Sequence, residues 1–160
     1  MIRPADRARD GAAVWAILRP TLAAGDTYDW PRDWSECGAL DAWFSPRAAV
    51  FVAEKDGAVL GSYFVRPNGL GGGAHVANAG FIVADEARGR GTGRALGLHA
   101  LETARGLGYA AMQFNHVLAS NRPAVALWTS LSFREIGRAP NAFRLPTSEL
   151  TDQIIMFQEL

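Results

Sequence analysis

The stretch from His75 to Leu118 constrains the fold more than any other part of the chain. His75 to Val83 is rich in β-branched and small apolar residues and reads as a strand. Gly93 to Leu107 sets Ala95, Leu98 and Leu101, with Leu96, Ala100, Ala104 and Leu107, on one broad apolar stripe, which predicts a helix. Gly108 stands where a residue of left-handed conformation ends such a helix. Ala111 to Leu118 reads as the next strand. A strand–helix–strand crossover needs a sheet to return to, and its helix must cover one face of that sheet.

The flanking segments complete the sheet. Ile2-Arg3-Pro4 is a short strand. Ala13, Val14, Ile17 and Leu18 give Asp6 to Leu22 a helical period, with Asp10 as a candidate cap. Gly25 to Pro31 is a loop, and Ser35 to Phe44 a short helix stopped by Ser45-Pro46. Ala49–Glu54 and Val59–Arg66 are strands joined through Asp56-Gly57, a strong hairpin signal. Pro67 to Ala74 holds four glycines and reads as loop. Asn121 or Arg122 caps a helix opened by Pro123 and running to Leu131. Phe133–Arg138 and Gln153–Gln158 are the closing strands. The expected order is β-α-α-β-β-β-α-β-α-β-β. It describes an α/β fold with one mixed sheet and helices on both faces, in a single domain over residues 1–160.

Composition removes several classes of function. Sixteen Lys and Arg balance sixteen Asp and Glu, so no net field holds a polyanion and nucleic acid is not an expected partner. The longest uncharged stretch, Pro67 to Ala84, carries five glycines, His75 and two asparagines, which is no membrane span. No apolar leader follows Met1, and Cys37 has no second cysteine to pair with, so a cytoplasmic location is expected. Lys55, the only lysine, lies between Glu54 and Asp56 and belongs to no phosphate-binding Gly-Lys-Ser/Thr loop. His75, His99, His116 and the lone cysteine show no metal-ligand spacing, and no metal is expected.

The chemically informative segment is Asp85 to Arg94. It follows a strand, opens a helix, and interleaves Arg88, Arg90 and Arg94 with Gly89, Gly91 and Gly93, with Thr92 between the last two. A helix N-terminus offers unpaired N–H groups and about half a positive charge. Glycines at alternate positions let those amides curl around one anion, and arginines add forked donors. Arg94 and Leu96 break the dinucleotide pattern Gly-x-Gly-x-x-Gly, so the expected anion is not a Rossmann-bound one.

The run Arg88-x-x-Gly91-x-Gly93 resembles the pyrophosphate loop of the GNAT N-acetyltransferases. Asn121-x-x-Ala124-x-x-Leu127-Trp128-x-x-Leu131-Ser132-Phe133 is similar to the family's second signature, and the element order is the family's order. The resemblance implies a GNAT fold of about seven strands, splayed between the fourth and fifth. It implies that acetyl-CoA is the acetyl donor. Its pantetheine arm would pair with backbone near Ile82 and Val83, and its pyrophosphate would lie on Arg88 to Arg94. Asn121 and Trp128 would lie against the same cofactor. The acceptor would be a small-molecule amine attacking directly in a ternary complex, and a homodimer would be unsurprising.

Three positions depart from the family pattern, the mildest being Ser132, which stands in a tight turn where a glycine usually precedes the final Phe. Trp128 stands where a tyrosine commonly protonates the leaving thiolate, and an indole only donates hydrogen bonds. Asn78 stands where many members carry a glutamate base. His75 to Phe81 and Met112 to Asn115 look like the strands of acetyltransferases that detoxify proline analogues such as azetidine-2-carboxylate. By that resemblance Asn78 and Asn115 position an amino or imino acid. Tyr28 and Trp30 read either as packing or as a wall of the acceptor site. Strand alternation sends His116 to the face opposite Asn115, as a packed histidine. His99 reads as structural, and Cys37 has no basic neighbour to make it a nucleophile. Competing readings are a non-catalytic acyl-CoA-binding module and a protein N-terminal acetyltransferase.

Overall fold

The computed structural model describes every residue from Met1 to Leu160. Its elements are β1 (Ile2–Pro4), α1 (Arg7–Ala24), α2 (Glu36–Trp43), β2 (Ala49–Lys55), β3 (Ala58–Pro67), β4 (Val76–Val83), α3 (Thr92–Gly106), β5 (Ala111–Leu118), α4 (Arg122–Ser130), β6 (Arg134–Arg144) and β7 (Leu150–Glu159). Single 3-10 turns cover Gly71–Gly73 and Asp85–Ala87. All seven strands form one sheet in the order β1-β2-β3-β4-β5-β7-β6. Every pairing is antiparallel except β4–β5. This is the expected element order and the expected mixed sheet.

Each face of the sheet has its own core. Val14 and Leu18 of α1 and Trp43 of α2 bury against Val52, Phe64 and Ile82. Trp43 Nε1 donates to Ser62 Oγ at 3.0 Å, so the one polar atom of that indole is satisfied inside the core. On the other face, Leu96, Ala100 and Ala104 of α3 and Trp128 of α4 pack on Tyr63, Met112, Phe114 and Met156. The Tyr63 hydroxyl lies 2.7 Å from His99 Nδ1 and 2.9 Å from Thr103 Oγ1, and burial pushes the phenol up. His99 is thus the structural residue the sequence suggested.

Two expectations need correction. Asp6, not Asp10, caps α1, accepting from Arg9 N at 2.9 Å. Asp10 lies one turn on, buried, where Arg3 grips both its oxygens at 2.9 Å. The closing hairpin is also longer than Phe133–Arg138 and Gln153–Gln158. Pro140 and Asn141 look like strand breakers, but a bulge between Ala139 and Phe143 absorbs them. Asp152 Oδ1 takes the Asn141 amide at 2.9 Å, and the pairing resumes to Arg144. No helix is long and apolar enough to cross a membrane.

Candidate active site

The site begins where the sheet opens. β4 and β5 pair only at Val76–Ala111 and Ala77–Met112, then diverge. Asn78 stands at the fork, and its Nδ2 donates to Gln113 O across it at 3.0 Å. Asn115 Oδ1 accepts from Gln113 Nε2 at 2.8 Å, while its Nδ2 donates to Asn68 Oδ1 at 2.7 Å. The two asparagines therefore tie β4, β5 and the residue that follows β3 together at the opening.

The gap exposes main chain. Asn68 N donates to Val76 O and Ala84 N to Leu60 O, so the even-numbered residues of β4 turn their amides and carbonyls to β3. Ala79, Phe81 and Val83 turn theirs to the gap. Of the two residues expected to meet a pantetheine arm, Val83 has its main chain on the open edge. Ile82 does not: it pairs with Ser62, and its side chain is buried among α1 and α2. The Phe81 carbonyl accepts from the Tyr28 hydroxyl at 2.8 Å, and burial pushes that phenol up.

A cavity of about 410 Å³ fills the gap and reaches both faces of the sheet. Phe81, Phe114, Ala124 and Trp128 line it on the α3–α4 side, and Tyr28, Trp30, Phe64, Arg66, Asn78 and Asn115 on the other. Trp128 is wedged between Phe81 (4.7 Å between ring centroids) and Phe114 (4.8 Å). Tyr28 leans on Trp30 at 5.3 Å between ring centroids, and both rings line the cavity. Asn121 lines the same cavity while capping α4 through Ala124 N at 3.2 Å.

Sequence reasoning misplaced His116. The β5–β7 register slips between Phe114 and Val117, so three steps on β5 face two on β7. This bulge breaks the alternation and brings His116 to the cavity alongside Asn115. Asp29, from the loop before α2, holds it there, with Oδ2 2.9 Å from His116 Nδ1. Nothing in the local sequence marks a bulge at this point. Arg66 was also passed over. It lines the cavity from β3 with its guanidinium over the Phe64 ring, 4.7 Å from the centroid.

The glycine–arginine loop leads into α3. Gly89 (φ +70°) and Gly91 (φ +84°) are left-handed, and a Cβ on either would meet no atom of the protein within 4 Å. The space above them is open, as a phosphate cradle requires. Gly93 packs its Cα side toward Leu127 and Val83, joining the loop to the end of β4. Arg88 is tied to Asp85 at 3.0 Å and Arg94 to Ser130 Oγ at 3.0 Å, whereas Arg90 is exposed and unpartnered. The open loop, the open strand edge and the cavity fit a long ligand with a diphosphate near one end and a reactive group at the other. No cluster of three His, Cys, Asp or Glu side chains could hold a metal ion.

A split mixed sheet with a glycine–arginine loop at its opening defines an acyltransferase architecture, and similarity to known proteins supports this. The profile of the Acetyltransferase (GNAT) family matches residues 13–133. The N-acetyltransferase aca1 of Schizosaccharomyces pombe is 32% identical over 115 residues, which is 71% of this chain and 55% of that protein. The mycothiol acetyltransferase of Thermomonospora curvata is 39% identical over 95 residues, 58% of this chain and 30% of that protein. The chain thus spans about half or less of the curated relatives it matches. A GCN5-related N-acetyltransferase from Kribbella flavida superposes with a TM-score of 0.94 at 40% identity, over 100% of this chain and 97% of that one. The chain belongs to the GNAT acetyltransferase family.

Proposed function

We propose that this chain transfers the acetyl group of acetyl-CoA to the amine of a small molecule, an amino or imino acid. The observation that carries this reading is the gap between β4 and β5, with an open glycine–arginine loop beside it and a cavity lined by aromatic and polar side chains within it. Acetyl-CoA supplies a thioester carbonyl, at which the C–N bond to the acceptor forms as the C–S bond breaks, with no acyl-enzyme.

The residues divide this work. Amides of Gly89 to Gly93, with Arg88, Arg90 and Arg94, hold the diphosphate, and Val83 meets the pantetheine arm. Asn121 and Trp128 border the same passage. Main-chain N–H groups on the open edge of β4 donate to the carbonyl oxygen as negative charge develops there. Asn78 and Asn115 orient the acceptor against the wall of Tyr28 and Trp30. His116, its Nδ1 turned to Asp29, takes the proton that the attacking nitrogen loses, at Nε2. The thiolate, with a pKa of ~8.5 for the free thiol, needs no assistance from Trp128 to leave near neutral pH and takes its proton from water.

The test is thiol release from acetyl-CoA with a panel of amines and amino acids, alongside calorimetric acetyl-CoA binding. Acceptor-dependent release with N-acetylated product supports the reading. Binding with no release for any acceptor would favour a non-catalytic module, and release only with peptides would favour a protein N-terminal acetyltransferase.

A further inference from the structure

Fifteen arginines serve this chain's charge balance, and all but two are solvent-exposed. The two are Arg3 and Arg66. Arg3 has two carboxylates, Asp10 and Glu54. Arg66 has none, and none of its five N–H donors is used within the chain. Burial disfavours its charge, and the neighbouring Arg47 repels it further. An arginine does not relieve this by losing its proton. Stacking on Phe64 recovers part of the lost hydration and leaves the donor edge free. A half-buried guanidinium without a counter-ion, facing a cavity, is an unfilled anion site.

The surroundings narrow the anion. Arg66 is the cross-strand partner of Asn78 at the fork. Both asparagines already spend amide donors, Asn78 on Gln113 O and Asn115 on Asn68 Oδ1, while Asn78 Oδ1 accepts nothing. Arg66 is therefore the strong free donor on this wall, and Asn78 Oδ1 a free acceptor. The Asp29 carboxylate, with His116 beside it, also faces the cavity and suits a cation or a proton-bearing nitrogen. A planar bidentate fork matches a carboxylate. The cavity thus presents a carboxylate donor and amine acceptors together, the complement of a zwitterion.

We propose that Arg66 binds the carboxylate of the acceptor, so that the enzyme's substrates are amines bearing a carboxylate close to the nitrogen. This rests on the acetyltransferase reading and deepens it. The carboxylate stays unreacted and serves only to place the nitrogen.

The experiment measures thiol release with the standard amino acids and azetidine-2-carboxylate, and with the matching carboxamides and descarboxy amines. Wild-type enzyme should favour each active acid over its neutral partners by at least tenfold in kcat/KM. Arg66→Gln should raise the KM for the acid roughly 10- to 100-fold while leaving the KM for acetyl-CoA within twofold, and should abolish the preference for the acid. Arg66→Lys, which keeps charge but not the fork, should recover part of that loss. Turnover confined to amines without a carboxylate, or an unchanged preference in Arg66→Gln with a wild-type melting temperature, would overturn the assignment while leaving acetyl transfer itself standing, the first outcome also removing the amino-acid acceptor. Acetyl-CoA binding without turnover of either set would overturn both.

Discussion

His116 Nδ1 lies 2.9 Å from Asp29 Oδ2, joining a bulge in β5 to the loop before α2 at the mouth of the cavity. A carboxylate this close favours the proton on Nδ1, the arrangement in which Nε2 is free to accept one. If this nitrogen takes the acceptor's proton, His116→Gln should lower kcat about 100-fold, and Asp29→Asn by about 10-fold. The KM for acetyl-CoA should stay within twofold in both. Steady-state kinetics at saturating acetyl-CoA measure this, and a kcat for His116→Gln within threefold of wild type would remove His116 from the reaction.

Gly91 carries φ +84° at the N-cap of α3 with open space where a Cβ would be. Asparagine tolerates this conformation better than other side chains, so Gly91→Asn separates backbone strain from blocked access. The melting temperature should fall by only a few degrees, while the KM for acetyl-CoA rises at least tenfold. Affinity unchanged in a folded Gly91→Asn would move the diphosphate away from this loop.

The element order was legible because its signals are local: the Asp56-Gly57 turn, the apolar stripe of α3, Pro123 opening α4. The open glycine loop before α3 was legible for the same reason, since its glycines act through the backbone they sit in. What escaped were features set by register. The bulge that turns His116 inward arises from how β5 meets β7, forty residues away in the chain, and no residue near 116 announces it. The main-chain phase that puts Val83 rather than Ile82 on the open edge is likewise fixed by pairing with β3. Arg66 carries no sequence signal of its own, because its lack of a counter-ion appears only once the fold places it beside Phe64 and Asn78. The extension of β6 past Arg138 is also set by its partner strand, where Asp152 takes the Asn141 amide across the bulge.

Gly80 and Gly97 both lack room for a Cβ, but for different reasons. At Gly80 the added atom would lie 2.5 Å from Phe64 Cε1 and 3.2 Å from the Tyr28 hydroxyl. Phe64 is itself backed by Trp43 at 5.0 Å, so neither ring can retreat. At Gly97 the clash, 2.6 Å, is with the tip of Leu131, which can rotate. A second contact, 3.2 Å from Trp128 Cζ3, must give by a few tenths of an ångström, a cost that the gain of up to ~1 kcal/mol of helix propensity in alanine offsets. Gly80→Ala should cost about 1–3 kcal/mol and reduce turnover by displacing Tyr28 from Phe81 O. Gly97→Ala should be near neutral. Differential scanning fluorimetry should separate the two by roughly 3–10 °C, and equal melting temperatures would contradict the packing argument.

Asp10 makes stability depend on acid. Arg3 donates to both its oxygens, with Arg9 and the Asp6 amide adding further bonds, and together they hold its carboxyl well below the usual carboxylate range despite burial. A depressed folded-state pKa means that the unfolded chain binds the proton more readily. The stabilisation is therefore complete above about pH 5, begins to fall as pH drops past the unfolded value near ~3.9, and is lost toward the folded-state value. Asp10→Asn removes the titrating group, so its melting temperature at pH 7 should be roughly 5 °C below wild type, and the difference should shrink between pH 5 and 3. A gap that stays constant or widens on acidification would show that Asp10 stabilises the β1–α1 junction by packing alone.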